Sequence, residues 1–210
     1  MSALADFETA FERCPLIAIL RGIEPVEAEA IGEALADVGF TIVEVPLNSP
    51  DPLGSIGRLA ARLAGRAVVG AGTVLRVEEV SAVADAGGTL IISPNFNAQV
   101  IEATVEQGLT SLPGVFTPSE ALAALDAGAA ALKLFPAEGA SPTVLKAMRA
   151  VLPPTTRVLP VGGITPESLA AWRAAGAAGF GLGSALYRPG MAADEVGARA
   201  RAFVAAWKSL

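Results

Sequence analysis

Short apolar runs recur along the chain and alternate with longer stretches whose apolar residues are spaced three or four positions apart. The short runs lack the strict alternation of half-exposed strands, so they predict β-strands that are covered on both faces. The longer stretches have the spacing of amphipathic helices. The strand-like runs lie at residues 16–22, 41–47, 67–73, 89–94, 110–115, 131–136, 157–163 and 179–184.

Proline and glycine mark the ends of the predicted helices. Pro25 and Pro118 stand where helices begin, and Gly39 and Gly128 stand where they end, which is the usual placement of these residues. Eight strand–helix units predict an α/β fold, a single-domain (β/α)8 TIM barrel over residues 1–210, with an extra N-terminal helix at about residues 3–13. An open doubly wound sheet is the alternative, although the first unit lacks the GxGxxG pattern of dinucleotide-binding folds.

Composition excludes several classes of protein. Hydrophobic residues make up 52% of the chain and charged residues 17%, which suits a large core and argues against disorder. A net charge of −6 without a basic run makes nucleic acid an unexpected partner. The chain has no histidine and one cysteine, Cys14. These counts argue against a Ser-His-Asp triad, a zinc site and an internal disulfide, so no metal is expected.

The first thirteen residues, MSALADFETAFER, lack the basic start and apolar run of a signal peptide. No apolar stretch reaches the ~18–20 residues of a membrane-spanning helix. We therefore expect a cytoplasmic protein that does not associate with membranes.

A lysine stands in the centre of the strand-like segment ALKLFP. In a barrel, such a side chain reaches water only at the mouth formed by the carboxyl ends of the strands, where barrel enzymes carry out their chemistry. Partial burial lowers the pKa of an ammonium group, and the neutral amine can form a Schiff base with a ketone. Lys133 is therefore a candidate nucleophile; the alternative is a lysine that extends to the rim without a role.

The segment TIVEVPLN places Glu44 inside another apolar run. A buried carboxylate is rare unless it is paired or used in chemistry. Glu44 is either an acid/base or the partner of Lys133 in a structural ion pair. Both interpretations place the two side chains at the same mouth of the barrel.

Glycine-rich segments end the last two predicted strands, PVGGIT at 160–165 and GLGSAL at 181–186. Glycine allows backbone N–H groups to approach an anion closely, and the loops after the seventh and eighth strands of barrels often bind phosphate. The two segments therefore predict a phosphate site.

Three further residues end predicted strands. Thr73 in GAGTVL would direct a hydroxyl at the pocket, and Pro94 in SPN would form an apolar wall. Arg21 in LRGI could hold a carboxylate through two parallel hydrogen bonds; the alternative is a surface salt bridge.

Taken together, ILRG, VEVPLNSP, GAGTVL, ISPN, PGVFTPSEA, ALKLFPAE, LPVGGITPE and GLGSALYR resemble the class I aldolases that cleave 2-keto-3-deoxy-6-phospho sugar acids. The resemblance covers nearly the whole chain. It implies a phosphorylated keto-acid sugar as the partner, a homotrimer, and catalysis without a cofactor.

The resemblance also implies roles for individual residues. Lys133 forms the imine, and Glu44 is the acid/base. The remaining expected positions are Thr73 at the keto-acid end, Pro94 and Phe135 in the pyruvate pocket, and Gly162, Gly163, Gly183 and Ser184 at the phosphate.

Two positions distinguish branches of this family. The branch specific for the gluconate epimer has arginine where this chain has Asn48, and threonine where it has Val161. The PLNS and VGG segments resemble the branch that acts on the galactonate epimer, whose configuration differs at C4. Valine lacks the hydroxyl group whose hydrogen bond could distinguish the two configurations at C4. Without the second-strand arginine, Arg21 becomes the expected carboxylate clamp. A gluconate-specific or dual-specific aldolase is the alternative.

Three other functions share some of these features. A phospho-sugar isomerase or epimerase barrel would use the same phosphate loops without a Schiff base. A non-catalytic barrel would bind a phosphorylated metabolite without turnover. A metal-dependent aldolase is a poor fit to a chain without histidine.

Overall fold

In a computed structural model that describes residues 2–210, parallel strands and helices alternate along the chain. The strands are β1 Leu16–Ile19, β2 Ile42–Pro46, β3 Val68–Gly72, β4 Leu90–Ile92, β5 Thr110–Leu112, β6 Gly114–Val115, β7 Leu132–Leu134, β8 Val158–Pro160 and β9 Phe180–Leu182.

Most strands are followed by a helix. The α-helices are α1 Ala3–Arg13, α2 Pro25–Val38, α3 Pro52–Arg62, α4 Val77–Asp85, α5 Ala98–Glu106, α6 Pro118–Asp126, α7 Pro142–Arg149, α8 Leu169–Ala174 and α9 Ala193–Lys208, with short 3₁₀ helices at Ala137–Gly139 and Pro166–Ser168. Over residues 2–210, none of these helices is both long enough and apolar enough to cross a lipid bilayer.

The helix ends follow from local side-chain chemistry. At the start of α6, the Thr117 hydroxyl accepts from the backbone N–H of Glu120, whose carboxylate accepts from the N–H of Thr117. This reciprocal pair satisfies donors that have no partner within the helix. Gly39 and Gly128 end α2 and α6 with φ of 108° and 102°, a region that favours glycine. The predicted helix boundaries at these positions are confirmed.

The strands form two parallel sheets, one with the order β5-β4-β3-β2-β1-β9 and one with the order β6-β7-β8. Pro113 separates β5 from β6 because proline has no N–H to donate. The predicted continuous strand 110–115 is therefore interrupted. Hydrogen bonds also join the two sheets: the Ala130 N–H donates to Ser111 O (3.0 Å), and the Ala178 N–H donates to Val158 O (2.9 Å). The protein thus has an α/β fold with a curled parallel sheet.

Two apolar cores explain why the strands lack alternation. One set of strand residues, including Ile17, Ile42 and Leu90, packs in an inner core on the concave face of the sheet. The other set packs in an outer core against the helices. Both faces are therefore dry, as expected for parallel strands covered by helices.

Helix α1 closes the lower end of the inner core, as the sequence predicts. It inserts Phe7 and Phe11, whose ring centroids lie 5.6 Å apart. The buried Thr41 hydroxyl donates to Ala10 O (2.7 Å), and Arg157 pairs with Glu8. These contacts attach α1 to the start of β2 and to the residue preceding β8.

Candidate active site

Lys133 and Glu44 lie on the inner face of the sheet. In β7, Leu132 and Leu134 pack in the outer core, so the alternation of the strand turns Lys133 inward. Lys133 is 5% exposed and Glu44 is 1% exposed. Both line a narrow cavity whose other walls are apolar or glycine: Ile17, Ile19, Ile92, Leu112, Leu159, Val161 and Gly181.

Burial shifts both groups toward their neutral forms. It raises the pKa of Glu44, an effect that the nearby positive charges of Lys133 and Arg21 oppose. It lowers the pKa of Lys133; the Glu44 charge opposes this change, and Arg21 adds to it. The Lys133 Nζ also lies 4.8 Å from the centroid of the Phe135 ring. The site therefore favours a neutral, nucleophilic amine beside a carboxyl group.

Gly72 provides the space for the Glu44 carboxyl group. A Cβ atom at position 72 would lie 2.5 Å from Glu44 Cδ, an impossible overlap. Within residues 2–210, the buried Glu44 Oε2 has no hydrogen-bond partner. A buried acceptor without a partner is rare and calls for a physical explanation, and this oxygen could accept a hydrogen bond from a hydroxyl group that enters the cavity. The sequence does not reveal this role of Gly72, because a glycine inside an apolar strand carries no information on the register of the neighbouring strand.

Thr73 follows β3 in the left-handed region, with φ of 57°. A β-branched residue rarely adopts this conformation, which costs about 1–3 kcal/mol unless the surroundings impose it. The next residue, Val74, donates its N–H to Ile92 O (3.2 Å) and is fully buried. The turn is therefore held in place at the carboxyl ends of the strands, and the role of Thr73 in the pocket stays a prediction.

Arg21 is oriented by the loop after β2. Its Nη1 donates to Asn48 Oδ1 (3.2 Å), and the next N–H, that of Gly22, donates to the buried Ser49 hydroxyl (2.9 Å). Arg21 thus contacts a neutral amide, and its charge acts on both Glu44 and Lys133.

Two of the three predicted apolar residues, Val161 and Phe135, lie beside the lysine. Val161 is buried in the cavity wall, where its Cγ2 would lie 2.7 Å from a Cβ at position 181. Pro94 and Phe135 are half-buried and lie two residues beyond the inward-facing Ile92 and Lys133. The strand alternation places them one layer nearer the mouth.

The two glycine-rich loops leave the sheet from adjacent positions, because Val161 pairs with Gly181. Gly162 and Gly163 have φ of 114° and 64°. In the second loop, Gly183 O accepts from the N–H groups of Leu186 (2.8 Å) and Tyr187 (3.0 Å).

Sequence reasoning missed two charged residues beside these loops. The Arg188 Nε donates to Ser184 O (3.1 Å), and the Glu138 side chain packs against Gly162 and Gly163. Nothing in the sequence pattern indicated that Glu138 lies over this loop, because the contact joins segments that are distant along the chain.

The curled parallel sheet with a buried lysine and carboxyl group at one cavity is the scaffold of an α/β lyase. A family model described as KDPG and KHG aldolase matches residues 7–199, and the chain belongs to this aldolase family.

The chain is 49% identical to the 2-dehydro-3-deoxy-6-phosphogalactonate aldolase of Escherichia coli (strain K12) over 196 residues, which are 93% of this chain and 96% of that protein. It is 48% identical to a probable 2-dehydro-3-deoxy-6-phosphogalactonate aldolase of Rhizobium meliloti (strain 1021), over 93% and 92% of the two chains.

Solved structures agree with these similarities. A native KDPGal structure has a TM-score of 0.92 and 49% identity, over 94% of this chain and 96% of that one. A KDPG aldolase from Legionella pneumophila, with pyruvate captured as a covalent carbinolamine intermediate, has a TM-score of 0.82 and 27% identity, over 92% and 96%.

Proposed function

We propose that this aldolase reversibly cleaves 2-dehydro-3-deoxy-6-phosphogalactonate to pyruvate and D-glyceraldehyde 3-phosphate through a Schiff base on Lys133. The observation that carries the proposal is the burial of Lys133 and Glu44 at one cavity, where burial moves their pKa values toward each other. The relatives named for this activity support the choice of substrate.

The reaction begins at the amine. Neutral Lys133 attacks the C2 ketone of the substrate, and loss of water gives a protonated imine that can accept electrons. Glu44, directly or through one water, removes the proton of the C4 hydroxyl. The electrons of the C3–C4 bond flow to the imine, so that glyceraldehyde 3-phosphate leaves and the enamine of pyruvate remains on Lys133.

The second half returns the proton. Glu44, now protonated, gives a proton to C3 of the enamine, and water hydrolyses the resulting imine to pyruvate and free Lys133. One carboxyl group serves both steps because it gains a proton in the first and loses it in the second. The unsatisfied Oε2 of Glu44 is available to accept the hydroxyl proton.

The other site residues position the substrate. In this proposal, Arg21 binds the carboxylate, and Thr73, Pro94 and Phe135 surround the keto-acid end. Gly162, Gly163, Gly183 and Ser184 hold the phosphate at a distance from the breaking bond. Binding energy at these groups then orients the reacting carbon atoms.

We also propose that the 210 residues form one domain, an eight-stranded barrel in which β5 and β6 are one strand interrupted at Pro113. Two observations support closure. The Ala130 N–H, just before β7, donates to Ser111 O in β5 (3.0 Å), and Val161 pairs with Gly181 where β8 meets β9. By family resemblance, we expect a homotrimer that acts in the cytoplasm without a metal. Sedimentation equilibrium tests the trimer, and unchanged activity in a chelator tests the absence of a metal.

Specificity for the galactonate epimer rests on Val161, whose buried side chain lines the cavity. The alternative is a gluconate-specific or dual-specific aldolase. Measuring kcat/KM for cleavage of both C4 epimers separates them: we expect a preference for the galactonate epimer of about 10–200-fold, the range for single-group discrimination. Equal rates indicate dual specificity, and a preference for the gluconate epimer contradicts the proposal. Val161→Thr should shift the ratio toward the gluconate epimer.

A further inference from the structure

One acidic side chain covers the open faces of the two glycines that follow β8. A Cβ atom on Gly162 would lie 2.7 Å from Glu138 Cδ, and a Cβ on Gly163 would lie 2.9 Å from Glu138 Cγ. Side chains at either position would therefore overlap with Glu138. The Glu138 side chain occupies the volume that the two glycines leave open.

Backbone hydrogen bonds fix where this side chain begins. The Ala137 N–H donates to Val161 O (2.9 Å), and the Gly139 N–H donates to Pro136 O (3.0 Å) within the short 3₁₀ helix. These bonds hold Glu138 beside the loop after β8. Glu138 itself is exposed, so its carboxylate has solvent to turn into when it leaves the glycines.

The two glycine-rich loops have side chains of opposite charge beside them. Arg188 donates to Ser184 O on the loop after β9, which places a cation on that side. Glu138 places a carboxylate against Gly162 and Gly163 on the other side. A phosphate that approaches the N–H groups of these glycines meets a like charge, which raises its free energy unless the carboxylate moves away.

We propose that Glu138 is a specificity-determining residue that weakens the binding of phosphorylated aldehydes. Its carboxylate rests over the glycines of the phosphate loop in the free protein and turns away when a phosphate binds. The nearby negative charge then favours release of the phosphorylated product. This inference rests on the proposed assignment of Gly162 and Gly163 to the phosphate. An aldehyde without a phosphate does not meet Glu138.

The experiment compares the wild type with Glu138→Gln and Glu138→Asp. Glutamine keeps the shape and removes the charge, whereas aspartate keeps the charge on a shorter side chain. Isothermal titration with inorganic phosphate measures affinity independently of turnover. Aldol addition of pyruvate to D-glyceraldehyde 3-phosphate and to D-glyceraldehyde measures KM with and without the phosphate.

We expect Glu138→Gln to lower the Kd for inorganic phosphate and the KM for glyceraldehyde 3-phosphate by about tenfold, as removal of a partly screened like charge requires. The KM for glyceraldehyde should stay unchanged, and Glu138→Asp, which keeps the charge but draws it back by one methylene, should lower the two constants by less than Glu138→Gln does. The matched control is Glu106→Gln, which removes an exposed carboxylate at the far end of α5.

The outcomes separate the two proposals. If Glu138→Gln binds phosphate no more tightly than Glu106→Gln, the role of Glu138 is wrong. If Glu138→Gln tightens phosphate binding but no variant, wild type included, joins pyruvate to either aldehyde, the role of Glu138 stands and the aldolase reaction is wrong.

Discussion

The Glu44 carboxyl group keeps its buried position because β3 has no side chain at residue 72. Gly72→Ala would place a Cβ atom 2.5 Å from Glu44 Cδ and displace the acid. A displacement of about 1 Å can reduce activity about 100-fold, so we expect kcat/KM for cleavage to fall by at least that factor.

The matched control for this variant is Gly57→Ala in α3, where an added Cβ meets only Ala86 O at an ordinary 3.5 Å. Its activity should equal that of the wild type, and its stability should rise by about 0.5–1 kcal/mol. Wild-type activity in Gly72→Ala would contradict the role given to Glu44.

The coupling between Glu44 and Lys133 predicts a pH dependence. Burial lowers the pKa of Lys133 from its usual 10.5, and the Glu44 charge partly opposes this. The rate of imine formation with pyruvate should rise with pH and reach its plateau below pH 10.5. In Glu44→Gln, the opposing charge is absent, so the plateau should begin at lower pH. Stopped-flow measurement of imine formation checks this; a shift to higher pH would contradict it.

At the scale of single residues, the sequence reveals candidate site residues whose charge is unusual among their apolar neighbours. Lys133 and Glu44 are visible because each is a charged residue inside an apolar run, and the strand alternation turns both inward. Gly72 and Glu138 act through neighbours that are distant along the chain. Their roles depend on the register between strands and on the path of a loop, which local patterns do not contain.

At the scale of secondary-structure elements, a buried hydroxyl group attaches helix α1 to the start of β2. Thr41 donates to Ala10 O (2.7 Å) and lies 3.3 Å from Cys14 O. Thr41→Val keeps the shape and leaves these carbonyls without the donor, which should reduce the free energy of unfolding by about 1–3 kcal/mol. Urea denaturation measures the loss, and hydrogen exchange should show faster opening of α1.

The control for Thr41→Val is Thr143→Val on the exposed face of α7. A surface change of this kind is expected to stay within about 0.5 kcal/mol of the wild type. Equal stabilities for the two variants would mean that the hydroxyl does not hold α1.

Element types were more predictable than element bounds. The order of strands and helices follows from apolar spacing, and the N-terminal helix predicted at about residues 3–13 is α1. The prediction of one continuous fifth strand was wrong, because Pro113 has no N–H to donate to a neighbouring strand. The 3₁₀ helix Ala137–Gly139 was not predicted, since three residues closed by two i→i+3 bonds leave no periodic signal.

At the scale of the whole molecule, the buried side chains of Lys133 and Glu44 lower the free energy of unfolding. Because the pKa of Glu44 is raised in the folded protein, the free energy of unfolding falls as the pH rises above the usual pKa of glutamate. Because the pKa of Lys133 is lowered in the folded protein, the free energy of unfolding also falls as the pH falls below 10.5, the usual pKa of lysine. Both penalties therefore apply at neutral pH.

Replacing both groups should stabilise the fold. We expect Glu44→Gln/Lys133→Met to unfold with a free energy about 1–4 kcal/mol higher than that of the wild type at pH 7, the range found when buried charged groups are replaced by uncharged ones. Lys133→Met alone should be less stable than the double variant, because it removes a positive charge that opposes the raised pKa of the buried Glu44. Urea denaturation of the three proteins checks this order; a double variant less stable than the wild type would contradict it.

The most direct test of the account is reduction of the pyruvate adduct. After incubation with pyruvate and borohydride, peptide mapping by mass spectrometry should find one reduced adduct, on Lys133, and Lys133→Arg should form none. An isomerase or a non-catalytic barrel would form no adduct in the wild type. The absence of an adduct, or an adduct on Lys146 or Lys208 instead, would contradict the proposed Schiff-base chemistry.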